Sequence, residues 1–276
     1  MNDLALGEFV DRDTFRIVRD YPHPVERVWA ALTNSDHLTV WLWRCTQLEP
    51  SLGGEFVFDF GWGKLWRGRI AKFEPPRLVD FAGFLRFELS ERPDGSRLVM
   101  TQKRGPAGWS PMALAGFHGW LGRLARLLAG VPNDVADRWA NTQFPWEALF
   151  LAYEHLMRDA LAGGATPIYR LHFQPNSLTL SDEARTHLDD VARLLVQEPA
   201  LGIAIDGFGD DPCTQAESEA LSRDRVDSAR RYLEGAGIAS DRIMVGFTLG
   251  NYHFIVPRDT EAGRAFNRRV ELRPTF

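Results

Sequence analysis

The sequence predicts an α+β protein of two units: a curved antiparallel sheet wrapped on a long C-terminal helix, then a β/α/β/α/β-β sandwich. Three observations carry this. Short runs of alternating apolar residues, such as Phe56, Phe58 and Phe60, recur between turn signals in the first half. All nine tryptophans lie between Trp29 and Trp146, and all three lysines between Lys64 and Lys103, whereas arginine alone carries positive charge after residue 165. Between the two compositions, Leu161-Ala162-Gly163-Gly164-Ala165-Thr166-Pro167 supplies the helix-ending and flexible residues of a linker. The expected boundaries are 10–161 for the first domain, 162–167 for the linker and 168–276 for the second.

In the first unit, Phe15 and Ile17 alternate within an opening strand from Thr14 to Asp20, which Pro22-His23-Pro24 stops. A helix follows from about Val25, with Val25, Val28, Trp29 and Leu32 on one face. Strands are expected over 54–60, 65–73, 78–84, 84–91 and 98–103. Pro75-Pro76-Arg77 and Pro93-Asp94-Gly95 supply turns among them. Helical spacing covers Met112–Leu128, marked by Leu121, Leu124 and Leu128, and then Phe144–Leu161, marked by Leu149, Tyr153 and Leu156.

The second unit reads as strand, helix, strand, helix, strand, strand. Ile168–Phe173 opens it, and Ser181 caps a helix whose apolar face is Ala184, Leu188, Val191, Leu194 and Leu195. Leu201–Phe208 is the next strand. A helix from about Ala216 to Gly235 turns Leu221, Ala229 and Leu233 inward, and strands at Ile243–Thr248 and Arg269–Arg273 complete the unit.

Composition excludes some functions. A net charge of −5, with thirteen arginines against seventeen acids after residue 165, offers no basic face for nucleic acid. The two cysteines, Cys45 and Cys213, are too few and too far apart for a metal site, and no metal or other cofactor is expected. No run of eighteen apolar residues suggests a membrane span, and the N-terminus shows no secretory signal. The chain as written is expected in the cytoplasm, or in the periplasm if its true start lies upstream.

Pro24-x-x-x-Val28-Trp29-x-x-Leu32-Thr33, Trp41, Gly53-Gly54-x-Phe56 and Glu74-Pro75-Pro76-Arg77-Leu78-Val79 occur in that order. With Gly119-Trp120-Leu121-x-Arg123-Leu124 and Trp146-Glu147-x-Leu149, they make residues 10–161 resemble the activator-of-Hsp90-ATPase-homologue branch of the START-like (SRPBCC), helix-grip superfamily. Residues 168–276 are similar to the OmpA-like peptidoglycan-associated domain. The resemblance rests on Gly207-Phe208-Gly209-Asp210, Leu221-Ser222-x-x-Arg225 and Asn267-Arg268-Arg269-Val270-Glu271.

These resemblances name the candidate sites. In the OmpA-like family an acid at a strand end and an arginine on the next helix grip the ammonium and carboxylate of a diaminopimelate side chain. Asp210 and Arg225 fall on those positions, with Gly209, Asp211, Leu221, Asn267 and Arg268 around them. A guanidinium fork suits a carboxylate. The alternative is an ordinary, partly exposed Asp210–Arg225 ion pair. Three positions depart from the family pattern: Gly209 replaces a threonine, Cys213 a glycine and Ser218 an asparagine.

In the first unit, Trp41, Trp43, Phe58, Phe60, Trp62, Trp66, Phe81, His118 and Trp120 are candidates to line an apolar cavity for a hydrophobic small molecule. The alternative is a packed aromatic core. His37, His118 and His155 have no acid or nucleophile at an informative spacing, and Gly61-x-Gly63 lacks the rest of a phosphate loop.

The expected function is therefore a non-enzymatic two-domain binding protein. Its partners would be a hydrophobic molecule or protein at the first domain and peptidoglycan or its fragments at the second. The alternatives are a cyclase- or hydrolase-like enzyme using the first cavity, or a co-chaperone-like interaction protein.

Overall fold

The computed structural model describes residues 5–60, 65–105, 109–133, 146–160 and 168–275. The chain divides into two compact units, 1–105 with 116–138 and 106–115 with 139–276.

The first unit begins β1 (Glu8–Asp11), β2 (Thr14–Tyr21), α1 (Val25–Thr33), α2 (Ser35–Trp41), β3 (Arg44–Leu48) and β4 (Glu55–Asp59). It continues with β5 (Leu65–Glu74), β6 (Leu78–Phe81), β7 (Leu85–Arg92), β8 (Gly95–Lys103) and most of α3 (Pro111–Leu128). The strands form one eight-stranded antiparallel sheet in the order β1-β2-β8-β7-β6-β5-β4-β3. Strand periodicity puts Phe15 and Ile17 of β2, and Leu98 and Met100 of β8, into the core. The β7–β8 hairpin turns on Pro93-Asp94. Gly95 follows at φ +141°, where an added Cβ would lie 2.1 Å from the Tyr21 carbonyl oxygen. Helix α1 buries Val25, Val28, Ala31 and Leu32 and packs on β7 and β8. Trp29, expected on that face, is half-buried at its edge against Phe73. Asn34 ends α1 and caps α2 by accepting from the amides of Asp36 and His37. The Tyr21 hydroxyl donates to the Leu121 carbonyl and the Arg123 guanidinium to that of Val40, fixing the later turns of α3 on this unit.

The second unit contains α4 (Trp146–Ala160), β9 (Tyr169–His172), α5 (Asp182–Gln197), β10 (Gly202–Phe208), α6 (Gln215–Gly235), β11 (Ile243–Thr248), α7 (Glu261–Asn267) and β12 (Arg269–Thr275). Its sheet runs β11-β10-β12-β9. The β10–β11 pair is parallel across the α6 crossover, and the other pairs are antiparallel. On one face Leu171, Ile203, Ile205, Val270 and Leu272 meet Leu188 and Val191 of α5 and Val226, Ala229 and Leu233 of α6. The alternate residues carry buried charge on the other face: Arg273 pairs with Asp206 at 2.5 Å and Arg269 with Glu271 at 2.8 Å.

The domain boundaries read from sequence differ from this division. Residues 146–160, expected in the first domain, cluster with the second unit. The reason is chemical: Glu154 of α4 takes Arg170 of β9 at 2.6 Å, and the Phe150 ring lies 5.7 Å from the Arg269 guanidinium. The expected linker, 162–167, lies outside the described residues.

Candidate functional site

Strand β10 ends at Phe208, and Gly209-Asp210-Asp211 leads into α6. Thr214 caps that helix in a reciprocal box with Glu217. Ser218, Ser222 and Arg225 recur at helical spacing on the buried face of α6, so all three meet the strand end. The segment from Leu249 to Arg258 and the α7–β12 junction close the remaining sides.

The side chains of Asp210, Asp211 and Arg225 are fully buried. Arg225 grips Asp211 rather than Asp210, with Nη1 2.7 Å from Oδ2 and Nη2 3.0 Å from Oδ1. Its remaining reach goes to the carbonyls of Ser177 (3.0 Å) and Gln174 (3.1 Å), and its plane lies over Phe173. Neighbouring residues at a strand end point in opposite directions, so a fork that meets one acid turns away from the next. The partly exposed Asp210–Arg225 pair considered from sequence is replaced by this buried Asp211–Arg225 pair.

Asp210 has different partners. Asn267 Nδ2 donates to its Oδ2 at 3.0 Å, and Arg258 Nη2 stands 2.9 Å from its Oδ1 as an ion pair without an aligned hydrogen bond. Arg268 reaches the Asp210 carbonyl at 3.2 Å and the Phe173 carbonyl at 3.1 Å, and pairs with Glu261 at 2.5 Å. It braces backbone, not the carboxylate. Leu221, expected inward, is half-buried, and Ser222 one residue on is buried in its place.

Gly209 is the close-approach position: an added Cβ would stand 2.2 Å from Ser218 Oγ. Ser218 Oγ donates to Asn251 Oδ1 at 2.7 Å, and the Asp211 amide donates to the same oxygen at 3.2 Å. Asn251 Nδ2 returns to the Asp211 carbonyl at 3.3 Å. Burial raises the Cys213 thiol pKa and, in the first unit, pushes that of Cys45 up to about 11, so neither is a ready nucleophile.

In the first unit the candidate aromatics gather around Trp43, whose ring meets Phe60 at 4.7 Å, Trp120 at 5.1 Å, Phe58 at 5.6 Å, Phe117 at 5.7 Å and Trp66 at 5.8 Å. All five of these contacts are T-shaped, with the Trp43–Trp66 planes nearly perpendicular, the arrangement that ring quadrupoles favour. Phe81 touches Phe56, Phe58 and Phe87, and Trp41 packs on Phe87. Phe60 and Trp66 are half-buried at the edge of the group. Trp62 lies outside the described residues. His118 is buried, with the Arg19 guanidinium 3.2 Å and 3.3 Å from its two ring nitrogens.

Comparison with known families gives two separate matches along the chain. Residues 22–129 fit the profile described as activator of Hsp90 ATPase homolog 1-like protein, and residues 172–268 fit the OmpA family. The chain carries an activator of Hsp90 ATPase homolog 1-like domain and a C-terminal OmpA domain. Outer membrane porin F of Pseudomonas fluorescens is 36% identical over 83 residues, covering 30% of this chain and 25% of that protein. The chain thus spans about a quarter of the length of that relative.

Among solved structures, the peptidoglycan-associated lipoprotein from Burkholderia pseudomallei is 26% identical, covering 38% of this chain and 89% of its own, at a TM-score of 0.37. A conserved protein of unknown function from Enterococcus faecalis is 15% identical, covering 56% of this chain and 90% of its own, at a TM-score of 0.45.

Every C-terminal candidate residue falls inside the OmpA match, which stops before Arg269, and the Trp43 group falls inside the other. Sequence reasoning missed Arg258 and the hub role of Asn251. The signal for Asn251 was the unusual Asn251-Tyr252-His253-Phe254 run, paired with the shrinkage to Gly209 and Ser218. Among the described residues there is no group of three metal-ligating side chains, and no helix long and apolar enough to cross a membrane.

Proposed function

We propose that the protein is a two-domain binding protein whose OmpA domain holds a peptidoglycan-type ligand at Asp210. Its activator of Hsp90 ATPase homolog 1-like domain takes a hydrophobic small molecule. One observation carries the first part. Within a segment that matches the OmpA family, a fully buried carboxylate at the end of β10 has one oxygen that, among the described residues, is met only by a half-exposed arginine. A buried acid in that state suits the cationic group of an amino-acid side chain. Asn267 orients it, and Arg268 holds the strand end that presents it.

The second part is supported by the aromatic group, with Phe60 and Trp66 half-buried beside the enclosed Trp43.

Co-sedimentation with purified sacculi tests the first assignment. The full chain is expected to pellet with peptidoglycan and Asp210→Asn, which keeps the shape, to remain in the supernatant. Equal pelleting of the two proteins would remove Asp210 from the site. For the second, a fluorescent fatty acid is expected to bind the full chain and to lose affinity in Trp66→Ala. An unchanged affinity would remove the aromatic edge from the site.

A further inference from the structure

We infer that Arg258 is an internal stand-in for the ligand's cationic group, so that Asp210 is occupied from within the chain until an ammonium or guanidinium group displaces it. The inference rests on the cell-wall reading above and adds a gate and an order of recognition to it.

Asp210 Oδ2 is satisfied by Asn267, while Oδ1 faces Arg258 Nη2 at 2.9 Å without an aligned hydrogen bond. A carboxylate buried in that condition is stable only with a cation beside it. The cation comes from the surface. The Arg258 side chain is 49% exposed, whereas Arg225 and Arg268 are buried and committed to backbone carbonyls.

The backbone around Arg258 is pinned on both sides. Asn267 Oδ1 accepts from the Ile255 amide at 3.0 Å and the Val256 amide at 3.3 Å, and the Arg258 carbonyl accepts from Arg264 Nη1 at 2.9 Å. At Gly263 an added Cβ would lie 2.0 Å from the Pro257 carbonyl oxygen, so this turn has no room to slide. Beside its pairing with Asp210, the guanidinium rests on the Phe254 ring, 4.4 Å from its centroid. Rotation of one long side chain therefore uncovers Oδ1 while the loop stays in place.

The anionic half of the cluster has no such freedom. Asp211 forks Arg225 below the surface and also accepts the Asn176 amide at 2.9 Å. Asp211 thus stands where a ligand carboxylate would meet Arg225, and it stays there. Recognition is led by the ligand's cation, and its carboxylate contributes less.

The test uses the full chain in four forms: wild type, Arg258→Ala, Arg258→Gln and Arg258→Ala with Asp210→Asn. Arg258→Gln keeps much of the length and loses the charge. Ethylammonium is the probe of the cation site, read by thermal shift, and a diaminopimelate-containing muropeptide is the probe of the cell-wall reading, read by calorimetry. Ethylammonium is expected to raise the melting temperature of both single variants saturably and to leave wild type and the double variant unmoved. The muropeptide is expected to bind the single variants at least ~10-fold more tightly than wild type, since removing an internal competitor raises the competent fraction.

An ethylammonium response without muropeptide binding would keep the Arg258-occupied cation site and sink the cell-wall reading. Equal muropeptide affinity in wild type and both single variants would overturn the gate and leave that reading standing. The absence of any ethylammonium response in the folded single variants would also overturn the gate.

Discussion

The two interiors solve the burial problem differently. Around Trp43 the first unit fills its core with uncharged rings, whose contribution comes mainly from buried area and fit. The second unit sinks Asp206, Asp210, Asp211, Arg225, Arg268, Arg269 and Glu271 below the surface, where each charge depends on a particular partner. A ring cluster fails gradually when trimmed. A buried charge network fails when one member is removed, because the other is left without water or a counter-ion.

The largest expected effects are a matched pair. Asp211→Ala strands Arg225 and should cost about 3–5 kcal/mol, as is usual when one partner of a buried pair is removed. Trp43→Ala opens a cavity and should cost a similar amount, about 3–5 kcal/mol. Scanning calorimetry would resolve the pair. Asp211→Ala should lower the transition of the second unit and Trp43→Ala that of the first. A shift of both transitions by either change would break the comparison.

Acid should separate the units next. His253 lies buried, and desolvation, with help from the Arg269 charge, lowers its pKa from 6.5 to about 3. An unfolded chain takes up this proton near pH 6.5 and the folded one does not, so stability is full above that value and falls as pH drops toward 3. The slope contributed is about 1.4 kcal/mol per pH unit over that range. Burial, with the charges of Arg269 and Arg170, also lowers His172, which adds in the same direction.

Glu271 enters only at lower pH. Burial pushes its pKa up, but Arg269 and Arg170 together bring it below the ordinary value of 4.5. His253→Asn removes the titrating group and tolerates the φ of +60° at that position. It should flatten the fall of melting temperature between pH 6.5 and 5. An unchanged slope would place the acid sensitivity elsewhere.

The smallest effect is a cap. Thr214→Ala removes half of the reciprocal box that starts α6 and should cost about 1 kcal/mol by urea denaturation. A change much larger than this would mean that Thr214 supports the site as well as the helix.

Much of this fold was legible in the sequence because strands and helices with one apolar face advertise their period. Phe15 and Ile17, and Ala229 and Leu233, are such cases. The edge strand β3 was not legible: Arg44-Cys45-Thr46-Gln47-Leu48 is mostly exposed and has a register break between Cys45 and Gln47. Helix α7 was hidden by its seven-residue length, and only Thr260 and the following Glu261 mark its start.

At the site, spacing placed Asp210 and Arg225 at one strand end, but Arg225 pairs with Asp211. Asp210 and Asp211 are adjacent in sequence, and only the direction in which the strand end leaves the sheet decides which one Arg225 meets. Arg258 arrives from a segment without periodicity, so its approach to Asp210 could be seen only in three dimensions.

The most direct measurement is backbone amide shift mapping of the full chain during titration with the diaminopimelate-containing muropeptide. Saturable shifts centred on Gly209–Asp211, Asn251, Ile255–Arg258 and Asn267 are the predicted result. Shifts centred elsewhere, or none at concentrations that saturate sacculus binding, would contradict the assignment of the ligand to Asp210.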